Sequence, residues 1–424
     1  MNRSVRFPVA ALAAALTLTA CGGNVPSTGG VTAATPGAAA AQGAKGSLTV
    51  GLLNPTTGPF TALGEDVNAG FELYLASKGG TLGGYGINIV KEDEANDPGV
   101  ATTKARQLVE QNKAGLVVGL VNSGVAYAVA PYLKEAGVPL LITVAGADGL
   151  TREKNGNLFR VSYTGSQDTM PAGDFVCKTL GLKTASIVAL DYSFGWEAAG
   201  GFARTYEDAG CKIVQELYAP LGTQDYAPYV NQIDRNAEVV FTVAPGSDAI
   251  RFFKAVQGFG LKTPVFAHGS TTDETVLPSL AASADGVQSS LHYAPSLETP
   301  VNKAFAEAWE KEAKRSVNQY AEDGWAAAQV LEAALTSLDG EATPTAVRDA
   351  LSNVSIEAPR GPLKFDEYGQ AVYDVHFRKV EKKDGDWVNT VTGSAKNVSQ
   401  FYTYDPAEYL RFPSYDDLKG TWAK

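Results

Sequence analysis

Apolar positions along this chain fall into two alternating patterns. Residues 48–53 read as a buried strand, and short stretches at 87–92, 116–119 and 139–142 read as further strands. Between them the spacing turns helical. Leu63, Val67, Phe71, Tyr74 and Leu75 share one helix face, residues 100–111 form a helix entered through Asp97-Pro98, and 126–136 form another. This β-α-β-α-β order predicts a parallel sheet covered by helices on both faces. Residues 158–162 are expected to cross over, with a helix running to about Leu180. The order then restarts. Strands are expected at 185–190, 211–217, 238–243 and 264–267, with helices at 196–209, 226–235 and 247–259. Helices dominate from 301 to 351, before β-like segments at 363–365 and 372–380. Two α/β units in series predict two lobes.

The amino terminus breaks this pattern. Arg3 and Arg6 precede an apolar run over residues 7–20, shorter than the roughly 20 residues a spanning helix needs. A basic start, an apolar middle and small residues before a cut make a secretory signal. Leu18-Thr19-Ala20-Cys21 resembles a bacterial lipoprotein signal, which implies cleavage before Cys21 and acylation of its thiol and amino group. Residues 22–46 are almost wholly small or polar, with Lys45 the only charge, and read as a flexible tether. The chain is thus expected outside the cytoplasm, anchored by lipid and not spanning the bilayer. It would sit on the outer face of the cytoplasmic membrane or the periplasmic face of an outer membrane.

Net charge is −11, and two units more negative once a leader carrying Arg3 and Arg6 is lost. That acidity argues against nucleic acids and anionic membrane surfaces as partners. Cys177 and Cys211 remain after Cys21, and an oxidising compartment favours a disulfide between them. There is no C-x-x-C, and only His268, His292 and His376 occur, so no metal or cofactor is expected.

The loops after the strands are the candidate ligand contacts: 54–63, 120–125, 143–147, 191–195, 244–247 and 268–272. Several are rich in Gly, Ser and Thr, which suit a carboxylate at helix starts. Over residues 48 to about 380, ordered motifs resemble the type I periplasmic solute-binding proteins of ABC importers, the leucine/isoleucine/valine-binding group. They are Gly51-Leu-Leu-Asn-Pro55-Thr-Thr-Gly58-Pro59, Gly79-Gly80 with Gly83, Asp93 to Pro98, Gly119-Leu-Val-Asn-Ser123, Gly137-Val-Pro139, Asp191-Tyr-Ser-Phe194-Gly195, Gly260-Leu-Lys262 and Gly361-Pro362-Leu-Lys-Phe365-Asp366. The resemblance implies an α/β fold of two Rossmann-like lobes joined by three chain crossings. The domains would be 1–20 signal, 21–46 tether, 47–163 with 295–360 as one lobe, and 164–294 with 361–396 as the other. Residues 397–424, rich in Tyr and Asp, lie outside the resemblance.

The resemblance also implies roles. Ser123 falls on a serine that binds the ligand carboxylate. Val144 and Gly146 fall where the family presents a carbonyl and a threonine hydroxyl. Phe194 falls on a covering tyrosine and Leu63 on an aromatic wall residue. Pro245 belongs to the same set of loops, and His268 or Gly269 falls near an acid that pairs with the ligand ammonium. Here no acid occupies 267–270, so the site suits an anion better than a free α-amino group, which needs acceptors when buried. Val144-Ala-Gly146-Ala-Asp148-Gly-Leu-Thr151 resembles family members that take other small acids, aromatic carboxylates among them. Asp148, Asp191 or Asp273 are the alternative ammonium acceptors.

Catalysis is disfavoured. Ser123 lacks the first glycine of G-x-S-x-G, and no H-E-x-x-H or EF-hand loop occurs. The expectation is a monomeric solute-binding lipoprotein that passes a small organic ligand, an amino acid or a related carboxylate, to the permease of an ABC importer. The alternatives are a lipoprotein sensor signalling through a receptor and a lipid-anchored hydrolase.

Overall fold

A computed structural model describes residues 45–154 and 156–419. The expected signal, Cys21 and nearly all of the tether lie outside the described residues. The first sheet contains β1 (Gly46–Asn54), β2 (Thr81–Leu82), β3 (Tyr85–Asp93), β4 (Leu116–Gly119), β5 (Leu140–Ile142) and β6 (Leu158–Arg160). Their order is β2-β3-β1-β4-β5-β6, parallel except for β2. The second sheet contains β7 (Thr184–Leu190), β8 (Lys212–Ala219), β9 (Val239–Val243), β10 (Val265–His268) and β11 (Gln288–Leu291). It is completed by β12 (Ser355–Ala358), β13 (Gly361–Phe365), β14 (Ala371–Lys383) and β15 (Asp386–Val398). Strands β8-β7-β9-β10-β11 are parallel, and β14 continues the sheet antiparallel to β11. Every residue of β4 and β9 is buried, as a sheet covered on both faces requires.

Helices fill both faces of the first sheet. Thr61–Ser77 buries Leu63, Val67, Phe71, Tyr74 and Leu75, the stripe read from spacing. It packs against helix Gln319–Thr336 at backbone distance. A Cβ on Gly70 would fall 2.0 Å from the Ala321 carbonyl oxygen, and one on Gly324 2.0 Å from that of Val67. Only glycine permits that approach. Asp97 caps helix Pro98–Arg106 by accepting from the N–H groups of Gly99 (2.8 Å) and Val100 (2.9 Å).

The chain passes between lobes three times: after β6, after β11, and after helix Pro344–Leu351. Three expectations need correction. Residues 158–160 are a sixth strand of the first sheet, hydrogen-bonded beside β5, and the crossing begins only after Arg160. The helix expected over 226–235 is Ala227–Gln232. The helix expected from residue 126 begins at Ser123, because the Asn122 side chain accepts from Gly124 N (2.7 Å) and fixes the start three residues earlier.

Cys177 and Cys211 are disulfide-bonded, with Cα atoms 6.0 Å apart. The bond ties the end of the helical segment 170–179 to the lead-in of β8, at the edge opposite the strand ends that face the first lobe. Cross-linking residues 34 apart in sequence stabilises by about 4 kcal/mol in the chain-entropy model. The Cys177→Ser/Cys211→Ser double variant is expected to lose up to about that much stability in denaturant titration. Two free thiols in unfolded, non-reduced wild-type protein would contradict the bond.

Candidate functional site

In each sheet the strand order reverses at one point, between β1 and β4 in the first and between β7 and β9 in the second. Open α/β sheets present ligands with a crevice at such points. The loops after these four strands converge. Phe60 and Leu63 come from the loop and helix after β1, Val121 and Ser123 from those after β4. Tyr192 and Phe194 follow β7, and Pro245 follows β9. Val144 and Gly146 follow β5, Tyr163 lies on the first crossing, and Tyr320 opens helix Gln319–Thr336. Together they line an interlobe cavity of about 20 Å³. A single water needs roughly 10–15 Å³, so this cavity has room for little more than one.

Six of the seven residues picked out from sequence line this cavity: Leu63, Ser123, Val144, Gly146, Phe194 and Pro245. His268 stands one layer back. Its ring lies 5.1 Å from that of Tyr163 and 5.0 Å from that of Phe194, and it is fully buried. None of Asp148, Asp191 and Asp273 lines the cavity. Asp191 accepts from Trp196 Nε1, and Asp273 from Thr275 N. Sequence reading missed Phe60, Val121, Tyr163, Tyr192 and Tyr320. The first, second and fourth lie in or beside loops already singled out. Tyr163 and Tyr320 reach the cavity from a crossing and from a helix far along the chain, where no local pattern marks them.

Ser123 is the first residue of helix Ser123–Ala136 and lines the cavity, while the N–H groups of Gly124 and Val125 behind it donate to the Asn122 side chain. Ser123 Oγ is buried and has no protein hydrogen-bond partner among the described residues. Most of the remaining wall is aromatic or aliphatic. Gly146 makes that wall possible. A Cβ there would fall 2.8 Å from the Phe194 ring and 3.1 Å from the Tyr163 ring, so the two rings occupy the space a side chain would need.

Behind the rings lies a buried polar layer. Ser270 N donates to His268 Nδ1 (3.2 Å), which leaves the proton of the neutral imidazole on Nε2. Burial, then the charge of Arg378, pushes His268 down to about 3 and keeps it neutral. Asp168 accepts from Tyr373 Oη (3.0 Å) and His292 N (3.2 Å), and burial pushes its carboxyl up to about 7. His292 Nε2 lies 3.3 Å from Asp323 Oδ1. Arg360 bonds Asp323 (2.7 Å), Glu322 through Nε (3.0 Å) and the Val161 carbonyl (2.8 Å). Among the described residues His292, Glu322 and Asp323 form one group with three donor atoms within 4.8 Å of one another. Arg360 already bonds both carboxylates, so the group is an ion-pair cluster held by a guanidinium.

Comparison with known proteins agrees with this geometry. "Leu/Ile/Val-binding protein homolog 6" of Brucella melitensis is 30% identical over 348 residues, covering 79% of this chain and 88% of its own. An ABC transporter substrate-binding protein from Sphaerobacter thermophilus is 33% identical, with TM-score 0.80, covering 83% of this chain and 99% of its own. A solute-binding protein of an ABC transporter from R. palustris, solved with 4-hydroxybenzoate, is 29% identical with TM-score 0.79, covering 84% and 98%. These relatives are binding proteins, not enzymes. The periplasmic binding protein family matches residues 47–386. A chain with two α/β lobes, a cavity at their switch points and this match over most of its length belongs to the periplasmic binding proteins, a family whose place is outside the cytoplasm.

Proposed function

We propose that this protein captures a small carboxylate, aromatic in preference to an α-amino acid, and delivers it to the permease of an ABC importer. The observation that carries the reading is the Ser123 hydroxyl, buried without a protein partner at a helix start inside a cavity walled by rings. A helix start with a free hydroxyl suits a carboxylate. Phe194, Tyr163, Tyr192 and Tyr320 suit a flat apolar body. No Asp or Glu lines the cavity to accept from an ammonium, and burying an ammonium unpaired is costly. The R. palustris relative holding 4-hydroxybenzoate supports the same chemistry. Lobes of 47–163 with 295–360, and of 164–294 with 361–396, open to admit ligand and close on it. The ligand shifts that equilibrium by binding the closed form better. The protein acts as a monomer, held at the outer face of the membrane by lipid on Cys21.

Ser123→Ala is expected to weaken ligand binding roughly 10- to 150-fold, since a hydrogen bond to a charged group is worth about 1.5–3 kcal/mol. Circular dichroism of this variant should match wild type. In calorimetry, 4-hydroxybenzoate or phenylacetate should bind at least as well as phenylalanine. A branched keto acid should bind at least as well as leucine. Tight leucine or valine binding with no response to the deaminated partners would overturn the ligand class and leave the transport role standing.

The anchor has its own test. Cys21→Ser should abolish lipid labelling and release the protein from membranes or leave an uncleaved precursor. A wild-type protein without acyl groups at residue 21 would refute the anchor.

A further inference from the structure

Two buried carboxyl groups meet where the lobes meet, outside the ligand cavity. Asp148 opens the turn Asp148–Thr151 after β5 of the first sheet. Glu197 lies on helix Ser193–Asp208, which packs on β7 and β9 of the second. Asp148 is 3% exposed and Glu197 is fully buried. Asp148 Oδ2 is buried without a hydrogen-bond partner among the described residues, and the Glu197 carboxyl meets the backbone N–H of Asp148. Asp148 Oδ1 accepts from Ser166 N (3.1 Å) at the first crossing.

Among the described residues no cation is hydrogen-bonded or ion-paired to either carboxyl group. Arg160, from β6, is the buried charge that faces both groups, yet it donates to the carbonyls of Ala145 and Ala147 (2.8 Å each), to Thr151 Oγ1 (2.6 Å) and to Gln370 Oε1 (2.6 Å). Arg152 faces Asp148 from the same turn, and Asp416 of the C-terminal segment adds a third negative charge beside Glu197. Tyr127, from helix Ser123–Ala136, and Tyr192 face the pair as neutral phenols. The C-terminal segment covers it. Tyr409 Oη lies 3.4 Å from Ser166 Oγ, and Tyr415 presses on Gly200, where a Cβ would fall 2.2 Å from its ring. Tyr409 and Tyr415 both face Asp148, with Arg204 behind them.

We propose that closing the lobes takes up a proton, held by the Asp148–Glu197 pair, so that closure and the ligand binding it serves weaken as pH rises. This rests on the reading that the lobes close over a ligand. Burial first, then the charge of Asp148, holds Glu197 well above the usual carboxylate range, and burial also raises Asp148. In an open form water reaches both groups and their ordinary values return. The closed form therefore binds more protons. Its advantage is full at low pH and is lost as pH rises through the closed-state value, by at most about tenfold per pH unit for one proton.

The test uses the Cys21→Ser protein, which keeps the whole folded body. Small-angle scattering without ligand should give a more compact profile at pH 5.5 than at pH 8.5. Glu197→Gln, a neutral mimic of the protonated acid, should be compact at both. Asp148→Asn leaves Glu197 buried without the neighbouring charge, so its pH response should persist but shift to lower pH, and it carries the test if Glu197→Gln does not fold. Calorimetry with 4-hydroxybenzoate and with leucine, each in phosphate and in Tris, should show uptake of up to one proton in the parent protein and none in Glu197→Gln. An unchanged profile between the two pH values in the parent protein, or a pH response left unaltered in both variants, overturns the proposal. If neither probe binds, the ligand class proposed above fails, while the scattering still decides the proton.

Discussion

Everything in the site hangs on how this chain buries arginine. Arg360, in the turn between β12 and β13 just past the third passage between lobes, is 1% exposed and bonds Glu322 and Asp323 of helix Gln319–Thr336 and the Val161 carbonyl of the first passage. Asp323 meets His292 on the second passage, and His292 meets Asp168 (3.3 Å). One run of polar contacts thus ties all three crossings. A buried charge is tolerable only with its partners in place, and removing one partner of such a pair costs about 3–5 kcal/mol. The crossings therefore hold one mutual arrangement, about which the lobes can turn.

The same device positions the ligand loops. Arg160 grips the carbonyls of Ala145 and Ala147, on either side of Gly146. Arg378 donates to the carbonyls of Gly269 (2.8 Å) and Tyr293 (3.0 Å), which fixes the layer behind the cavity rings. Loop backbone that would otherwise lack partners is satisfied by guanidinium groups with five donors each. The cavity wall is then free to be apolar. The Ser123 hydroxyl lines that wall without a partner, and Thr143 Oγ1 and both amide atoms of Gln319 are other buried polar atoms without one among the described residues.

The strand-loop-helix rhythm was legible because parallel strands buried on both faces must be continuous apolar runs, and the ligand loops must follow them. That logic located Leu63, Ser123, Val144, Gly146, Phe194 and Pro245 around one cavity. It could not find Tyr163 or Tyr320, which arrive from a crossing and a returning helix. Nor did it place His268 behind the rings, since the depth of a side chain depends on what packs over it. Strand β15 escaped although its signal was present. Asp384-Gly385, with φ of 51° and 102°, makes the two-residue turn that joins β14 to β15. Strand β11, four residues with two serines, offers no pattern to read.

Residues 399–419, beyond the matched family region, have a physical role that composition alone hid. Their rings surround a single cation. Arg204 lies 4.4 Å from the Phe412 ring centre, 5.2 Å from that of Tyr415, 5.4 Å from Tyr409 and 5.9 Å from Tyr404. Tyr402 donates to Asp174 (3.0 Å), and Tyr404 to Asp208 (2.5 Å). All of these partners belong to the second lobe's helices. Toward the first lobe the segment makes fewer bonds, among them Gln400 with Thr151 (3.1 Å) and the Phe412 carbonyl with Arg152 (2.6 Å). The Arg152 contact is solvent-exposed and therefore weak. The segment is thus built to travel with the second lobe.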